Sequence, residues 1–237
     1  MNLCRAIAAS LIVAAVALSG CRRSGSNQEI ANNGAANSPV AIRMSESPAG
    51  ADSREPDLSA TSDGRMILSW IQKVGEKRYA LRMAERDAKG WSEVRTVAEG
   101  ENWFINWADF PSVIALKDGS LAAHWLVKSA ASTYAYNVNI ARSKDHGKTW
   151  DKPVVPHRDM TQTEHGFVSL IPLADGRVGA VWLDGRNLKD VKDEDEHSAL
   201  KESMTLRYAA IDAEGKLSDE AQLDDRVCEC CQTSAAL

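Results

Sequence analysis

One repeated pattern constrains the fold of this chain more than any other feature of its sequence. An Asp-Gly pair followed by five residues and a Trp occurs three times, at spacings of 55 and 57 residues. The copies are Asp63–Trp70, Asp118–Trp125 and Asp175–Trp182. An Asp-Gly pair between two apolar runs is a strong local signal for a β-hairpin. The pattern therefore predicts three hairpins, one in each of three similar units.

The sequence around each hairpin completes a unit of four strands. A short apolar run precedes each Asp-Gly pair, a third run follows the Trp, and a second turn leads to a fourth run such as Val94–Val97. The apolar runs are too short and too often interrupted by Gly to be helices. Four strands in about 55 residues is the size of a β-propeller blade. A β-sandwich is the alternative, but it would not repeat so regularly.

The second turn of the middle unit has the pattern S-x-D-x-G-x-T-W. Asp145 can accept hydrogen bonds from backbone N–H groups ahead of it, Gly147 can adopt a positive φ, and Ser143 and Thr149 add side-chain hydrogen bonds. Trp150 supplies a large ring that packs the turn onto its sheet. This segment resembles the Asp-box that marks sialidase-type β-propellers, and in that family the motif has a structural role.

The resemblance implies an all-β, sialidase-like propeller with about three four-stranded blades of an expected six. The blades cover about residues 54–107, 108–164 and 165–227, and residues 228–237 are expected to begin a fourth. Because propellers close with about four to eight blades, the chain is expected to be the N-terminal part of a longer protein.

The first 53 residues indicate export rather than folding. Residues 1–20 combine a basic start at Arg5 with an apolar run that is shorter than the ~20 residues of a membrane-spanning helix. They end before Cys21 in a segment that resembles a bacterial lipobox, and a plain secretory signal is the alternative. Residues 21–53 are rich in small and polar residues, as in a flexible tether. We expect a cell-envelope lipoprotein held to a membrane by a lipid on Cys21.

The charge balance excludes one class of partner. The chain has 28 basic and 33 acidic side chains, and removal of the signal would take away one basic residue, Arg5. Nucleic-acid binding normally requires a basic patch, so no nucleic-acid partner is expected. No cofactor and no metal site is indicated either.

In sialidase-like propellers the ligand lies on the face opposite the Asp-box. At the start of the first blade, Arg54-Glu55-Pro56 is similar to the R-I-P motif of sialidases, whose arginine grips a substrate carboxylate. Glu55 departs from the motif, in which this position is apolar. A solvated arginine beside a proline turn is the alternative interpretation of Arg54.

Two further segments are expected on the same face. The connection into the second blade contains Trp103, Trp107 and Asp109, which suit sugar stacking and hydroxyl recognition, although the tryptophans could instead fill the gap between blades. Asp184 and Arg186 follow the third repeat at a strand end. The acidic run after them, residues 193–196, suits a lid, a weak calcium site or simple solvation.

Cysteines and histidines are left without an assigned role. Cys228, Cys230 and Cys231 have C-x-x-C spacing at their ends, but a zinc site needs a fourth ligand, and a disulfide to a residue beyond the chain is an alternative. His157 and His165 flank the connection into the third blade. They could act as acid–base groups or make ordinary loop hydrogen bonds.

The resemblance does not assign a catalytic residue. Sialidases use a Tyr–Glu pair, an acid–base Asp and three arginines, and the Tyr–Glu pair and two of the arginines come from later blades. The Asp is expected in the loop after the second strand, where residues 71–78 contain none. Two functions stay open: an exo-glycosidase acting on sialic acid or another acidic sugar, and a non-catalytic propeller that binds glycan or protein. Ligand contacts are expected at Arg54, Trp103, Asp109, Asp184 and Arg186.

Overall fold

A computed structural model describes residues 44–188 and 203–237. Within these ranges the chain is almost entirely β-structure, with twelve strands and one short 3-10 turn at Arg186–Leu188. The strands are β1 Ser53–Ala60, β2 Met66–Lys73, β3 Tyr79–Asp87, β4 Gly90–Trp91, β5 Arg95–Gly100, β6 Ser112–Ala115, β7 Leu121–Lys128, β8 Tyr136–Ser143, β9 His165–Pro172, β10 Val178–Asp184, β11 Met204–Ile211 and β12 Leu217–Val227. The predicted signal, Cys21, most of the tether and the acidic run 193–196 lie outside the described residues.

The strands form three separate antiparallel sheets, each built from consecutive segments of the chain. The first contains β1, β2 and β3, with β4 and β5 both paired to β3. The second has the order β6-β7-β8, and the third has the order β12-β11-β10-β9. The first strands β1, β6 and β9 lie against one another across the three sheets. This arrangement of blades confirms the predicted β-propeller fold.

The fourth strand predicted for the middle unit is wrong. Its place is taken by one isolated bridge between Ile140 and Val154. Pro153 and Pro156 flank this bridge in the sequence, and proline has no N–H to donate to a strand ladder. The pairing therefore stops after a single position.

The core lies between neighbouring sheets, and the repeated tryptophans belong to it. Trp70 and Trp182 are about 1% and 0% exposed, and Trp125 is 6% exposed. One apolar cluster joins the first and second sheets, and another joins the second and third. The spacing of the repeat therefore reflects one buried tryptophan in the second strand of each sheet.

The turn at residues 143–150 has the hydrogen bonds that its sequence predicts. Asp145 accepts from the backbone N–H of Thr149 at 2.9 Å and from its hydroxyl at 2.6 Å. The Ser143 hydroxyl donates to Asp145 at 2.9 Å and accepts from the Gly147 N–H at 2.8 Å. Trp150 packs against the cluster between the first two sheets.

The hairpin turns lie at one end of the sheets, and other residues described below lie at the opposite end. The Asp-Gly turns and the turn at residues 143–150 share one end, since Ser143 pairs with Leu121 at the start of β7. Tyr136 pairs with Lys128 at the other end, and His165 pairs there with Asp184. A strand of eight residues separates its ends by about 23 Å.

Among the described residues, no helix has the length and apolar character required to cross a membrane.

Candidate functional site

Two irregular strands bring side chains together at the end opposite the Asp-Gly turns. The pairing of β1 with β2 shifts between Arg54 and Asp57, and Glu55 has a φ of 52°. The pairing of β9 with β10 shifts where Phe167 also has a φ of 52°. A bulge of this kind redirects a side chain, and bulges are over-represented beside active sites. Here both bulges lie in the innermost strands, on either side of Asp109.

Asp109 is a deeply buried carboxyl. It is 2% exposed, and among the described residues no side chain donates a hydrogen bond to either of its oxygens. Burial raises the pKa of Asp109 to about 7, while the Phe167 backbone N–H lowers it and Glu164 raises it further. An acid with such a pKa is about half protonated at neutral pH and can donate its proton.

Glu55 adds a second carboxyl with a raised pKa beside Asp109. Burial raises the pKa of Glu55 to about 7, Arg54 opposes this rise, and Asp109 adds to it. Two carboxyls that repel each other in a desolvated place do not both ionise readily. The departure from the R-I-P pattern at position 55 therefore places an acid at the site.

Tyr136 and Glu164 complete this group, which we call the carboxyl cluster (Glu55, Asp109, Glu164 and Tyr136). The Tyr136 hydroxyl donates to the Glu164 carboxylate at 2.5 Å. Burial and the nearby carboxyls raise the pKa of Tyr136 far above its ordinary value, so its proton stays in place. Burial also raises the pKa of Glu164, although the Tyr136 hydrogen bond opposes the change. The Phe104 ring stacks on Tyr136 with centroids 3.8 Å apart.

Close packing at Gly166 fixes the cluster. A Cβ atom at Gly166 would lie 2.0 Å from the Oδ2 atom of Asp109 and 2.9 Å from the Cε2 atom of Tyr136. Real Cβ atoms do not approach other atoms so closely. The absence of a side chain at this position is therefore what lets Asp109 and Tyr136 meet.

A second group lies at the same end of the third sheet, and we call it the histidine network (His157, Asp159, His165, Asp184 and Arg186). The imidazole rings of His157 and His165 are parallel, with centroids 3.7 Å apart. Asp159 accepts from His157 Nδ1 at 2.9 Å and from His165 Nε2 at 3.2 Å. Arg186 donates to the Asp184 carboxylate at 2.6 and 2.7 Å.

Hydrogen bonds connect the members of the histidine network. His165 Nδ1 faces the carbonyl oxygens of Tyr136 and Thr163, and its Nε2 faces Asp159. Burial would raise the pKa of Asp159, but hydrogen bonds from His157, His165 and Thr161 outweigh burial and hold this pKa well below its ordinary range.

The same geometry argues against a metal ion in the network. The ligand atoms of His157, Asp159 and His165 lie within 4.8 Å of one another. A metal ion binds imidazole in the plane of the ring, and two parallel rings 3.7 Å apart do not share a common in-plane position. The Arg186 guanidinium, 3.5 Å from Asp159, already supplies positive charge there.

The five residues predicted to contact ligand fall into three situations. Asp109 is in the carboxyl cluster, and Arg54 is exposed beside it with no hydrogen bond or ion pair to any described residue. Asp184 and Arg186 are joined to each other in the histidine network, so neither charge is free. Trp103 packs in the core instead, where its ring stacks on Trp125 with centroids 6.0 Å apart.

Trp107 has the opposite placement to Trp103. Its side chain is 91% exposed, in the loop that leads into Asp109. Of the two alternatives that the sequence left open, Trp103 fills the space between sheets, and Trp107 is an exposed aromatic side chain available to a ligand.

Sequence reasoning missed Tyr136, Asp159 and Glu164 as members of the site. Tyr136 begins a strand in an apolar stretch, and Asp159 and Glu164 lie in a connection without a repeat counterpart. Their only sequence signal is proximity to His157 and His165. The three cysteines after β12 are exposed, with a disulfide between Cys228 and Cys231 and a free thiol at Cys230.

Comparison with known proteins gives similarities of fold alone. The sequence matches no protein-family model and no curated protein sequence. Among solved structures, the chain is similar to the α-L-arabinofuranosidase Arb93A of Fusarium graminearum in complex with an iminosugar inhibitor, at 14% identity and a TM-score of 0.47 over 74% of this chain and 50% of that one.

Two further solved structures show a similar degree of likeness. An endo-1,4-β-xylanase from Bacteroides thetaiotaomicron matches at 12% identity and a TM-score of 0.49, over 81% of this chain and 67% of that one. The Hadza microbial sialidase Hz136 matches at 15% identity and a TM-score of 0.44, over 72% and 38%. The chain spans about half the length of Arb93A and of an α-L-arabinanase from Penicillium chrysogenum to which it is also similar.

Proposed function

We propose that this chain carries the sugar-binding site of an extracytoplasmic glycoside hydrolase in which Asp109 is the proton donor. One observation supports this assignment above the others: Asp109 is buried, no described side chain donates a hydrogen bond to it, and its pKa is raised to about 7. Glycoside hydrolysis needs a carboxylic acid that is still protonated near neutral pH to protonate the leaving oxygen.

The neighbouring groups have supporting roles in this proposal. Glu164 is the carboxylate that Tyr136 orients, and the raised pKa of Tyr136 keeps that hydroxyl a donor. Glu55 shares the desolvated space, and Asp109 adds to the rise in the pKa of Glu55. Arg54 is an exposed guanidinium that interacts with Glu55 of the cluster, so it is the residue that would hold the carboxylate of sialic acid or another acidic sugar.

The proposal also includes the cellular location of the protein. The lipobox-like segment ending at Cys21 supports a lipid anchor in a bacterial cell envelope. Radioactive fatty acid should label the wild-type chain in a bacterial host, and Cys21→Ser should abolish the label. An unlabelled wild-type chain would contradict the lipoprotein assignment.

A non-catalytic glycan-binding propeller is the second candidate function. The exposed Trp107 ring favours it, because an aromatic face beside polar side chains binds sugars without any proton transfer. The two functions differ in one respect: only hydrolysis requires the proton of Asp109.

Hydrolysis of aryl glycosides separates the two functions. A panel of α-sialosides, α-uronides and neutral furanosides and pyranosides would be incubated with the wild type, Asp109→Asn and Asp151→Asn, the last being an exposed carboxylate chosen as control. We expect aglycone release that falls above about pH 7 and drops about 100-fold or more in Asp109→Asn only. Sugar binding without release, unchanged in Asp109→Asn, would favour the binding protein.

A further inference from the structure

The three cysteines that follow β12 form a compact group of sulfur atoms. The Sγ atoms of Cys228, Cys230 and Cys231 all lie within 4.8 Å of one another, and those of Cys228 and Cys230 are 3.8 Å apart. All three residues are exposed. Three sulfurs gathered on four consecutive residues, open to solvent, form an arrangement that packing of the core does not require.

The fold holds this loop at both of its ends. On one side β12 pairs with β11 as far as Val227. On the other, the Thr233 hydroxyl contacts the Ser169 hydroxyl at 2.8 Å and donates to the Phe167 carbonyl of β9. Because both ends are anchored, the three sulfurs stay close together even when no bond joins Cys228 to Cys231.

From this geometry we propose that the reduced loop is a binding site for monovalent copper, with Cys228, Cys230 and Cys231 as its three thiolate ligands. A metal–sulfur bond of about 2.3 Å places the sulfurs of a trigonal site about 4 Å apart. The 3.8 Å between Cys228 and Cys230 already has this spacing. Soft thiolate ligands select monovalent copper, whereas structural zinc is bound by four ligands, and among the described residues the group offers three.

Formation of the site takes two chemical steps. A dithiol reductant first gives two electrons and two protons to the Cys228–Cys231 disulfide, which becomes two thiols while the dithiol becomes a disulfide. The copper(I) ion then displaces three protons and forms three copper–sulfur bonds. Copper keeps its oxidation state in the second step, so the redox state of the cysteines controls whether the ion binds.

Copper titration of the full chain tests this site. The chain would be reduced with a phosphine, which takes oxygen from water as the disulfide becomes two thiols, and then titrated anaerobically with copper(I) against a chromophoric chelator. We expect one tightly held copper ion per reduced chain, with an ultraviolet thiolate-to-copper band, and none in the air-oxidised chain. Cys230→Ser should lose this ion, while a Cys4→Ser/Cys21→Ser control should keep it.

Three results would overturn the assignment. Copper uptake unchanged in Cys230→Ser would show that Cys230 is not a ligand, and the three-thiolate site would be wrong. Tetrahedral cobalt(II) spectra with zinc competing effectively against copper would show a zinc site with a fourth ligand. Failure of the reduced wild type to bind any copper while its β-structure is intact by circular dichroism would leave the cysteines as an exchangeable disulfide only.

Discussion

At the scale of single residues, the account depends on what surrounds Asp109. The position was predictable, because a carboxylate in the connection into the second blade stands where a propeller binds ligands. Its protonation was not predictable, since that depends on burial by Phe167, Tyr136 and Gly166, which are distant in sequence. The place of the Glu55 side chain was not predictable either, because it reaches the cluster through a bulge in which the Glu55 backbone has a positive φ.

Gly166 provides a direct test of how tightly the cluster is packed. Gly166→Ala would place a methyl group 2.0 Å from the Asp109 carboxylate, and Asp109 is too buried to move aside freely. We expect a loss of about 3 kcal/mol of unfolding free energy, the upper end of the cost of overpacking. Chemical denaturation measures it. Gly50→Ala is the control, because its new methyl would lie 3.4 Å from the flexible Gln72 side chain; equal stability of the two variants would contradict the packing.

At the scale of strands and turns, the sequence predicted most of what the structure contains. The Asp-Gly repeat located every first hairpin, because such a turn depends on its own residues alone. The predicted fourth strand of the middle sheet does not form, because the prolines on either side of Val154 have no backbone N–H to donate to a neighbouring strand. The bulges at Glu55 and Phe167 left no sequence signal, since neighbouring sheets impose these positive φ angles on residues that do not favour them.

The turn at residues 143–150 should contribute stability that depends on pH. Hydrogen bonds from the Thr149 side chain and backbone lower the pKa of Asp145 to about 2. A lowered carboxyl pKa stabilises the fold above its unfolded value of 3.8, and the effect disappears as the pH falls towards 2. Asp145→Ala should therefore lower the melting temperature at pH 7 more than at pH 2. An equal decrease at both pH values would mean that these hydrogen bonds contribute nothing.

Substitution of the two tryptophans in the connection into the second blade should separate an effect on stability from an effect on ligand binding. Trp103→Ala removes a ring from the core, and we expect a cost below the ~3–5 kcal/mol of a fully buried tryptophan, because this one is half-buried. Trp107→Ala removes an exposed ring and should leave stability within about 0.5 kcal/mol while weakening glycan binding. Thermal unfolding and glycan binding of both variants measure this contrast; a destabilised Trp107→Ala would reverse the two roles.

At the scale of the whole molecule, groups with raised and lowered pKa values occupy the same end of the sheets. The carboxyl cluster contains acids that hold their protons, and the histidine network contains carboxylates that hold their charge. The resemblance to sialidase-like propellers predicted this end as the ligand face. It did not predict the division into two groups, because the ion pair between Asp184 and Arg186 removes both from direct ligand contact.

The free energy of unfolding should change with pH because Asp109 ionises. Its pKa is raised from 3.8 to about 7, so the protonated form stabilises the fold fully below pH 3.8, and that stability is lost as the pH rises through 7. At 1.36 kcal/mol per pKa unit this amounts to about 4 kcal/mol. Relative to Asp109→Asn, the wild type should therefore lose stability between pH 4 and pH 8 in denaturant unfolding. A difference between the two that does not change with pH would show an ionised carboxylate throughout.

The most direct measurement is the titration of the Asp109 carboxyl itself. Carbon-13 NMR of a chain labelled at its aspartate side-chain carboxyl carbons would be recorded from pH 4 to pH 9, with Asp109→Asn used to assign the resonance. We expect one aspartate signal that titrates near pH 7 and is missing from the variant. If every aspartate signal instead completed its titration below about pH 5, Asp109 would be charged at neutral pH. It could not then be the proton donor.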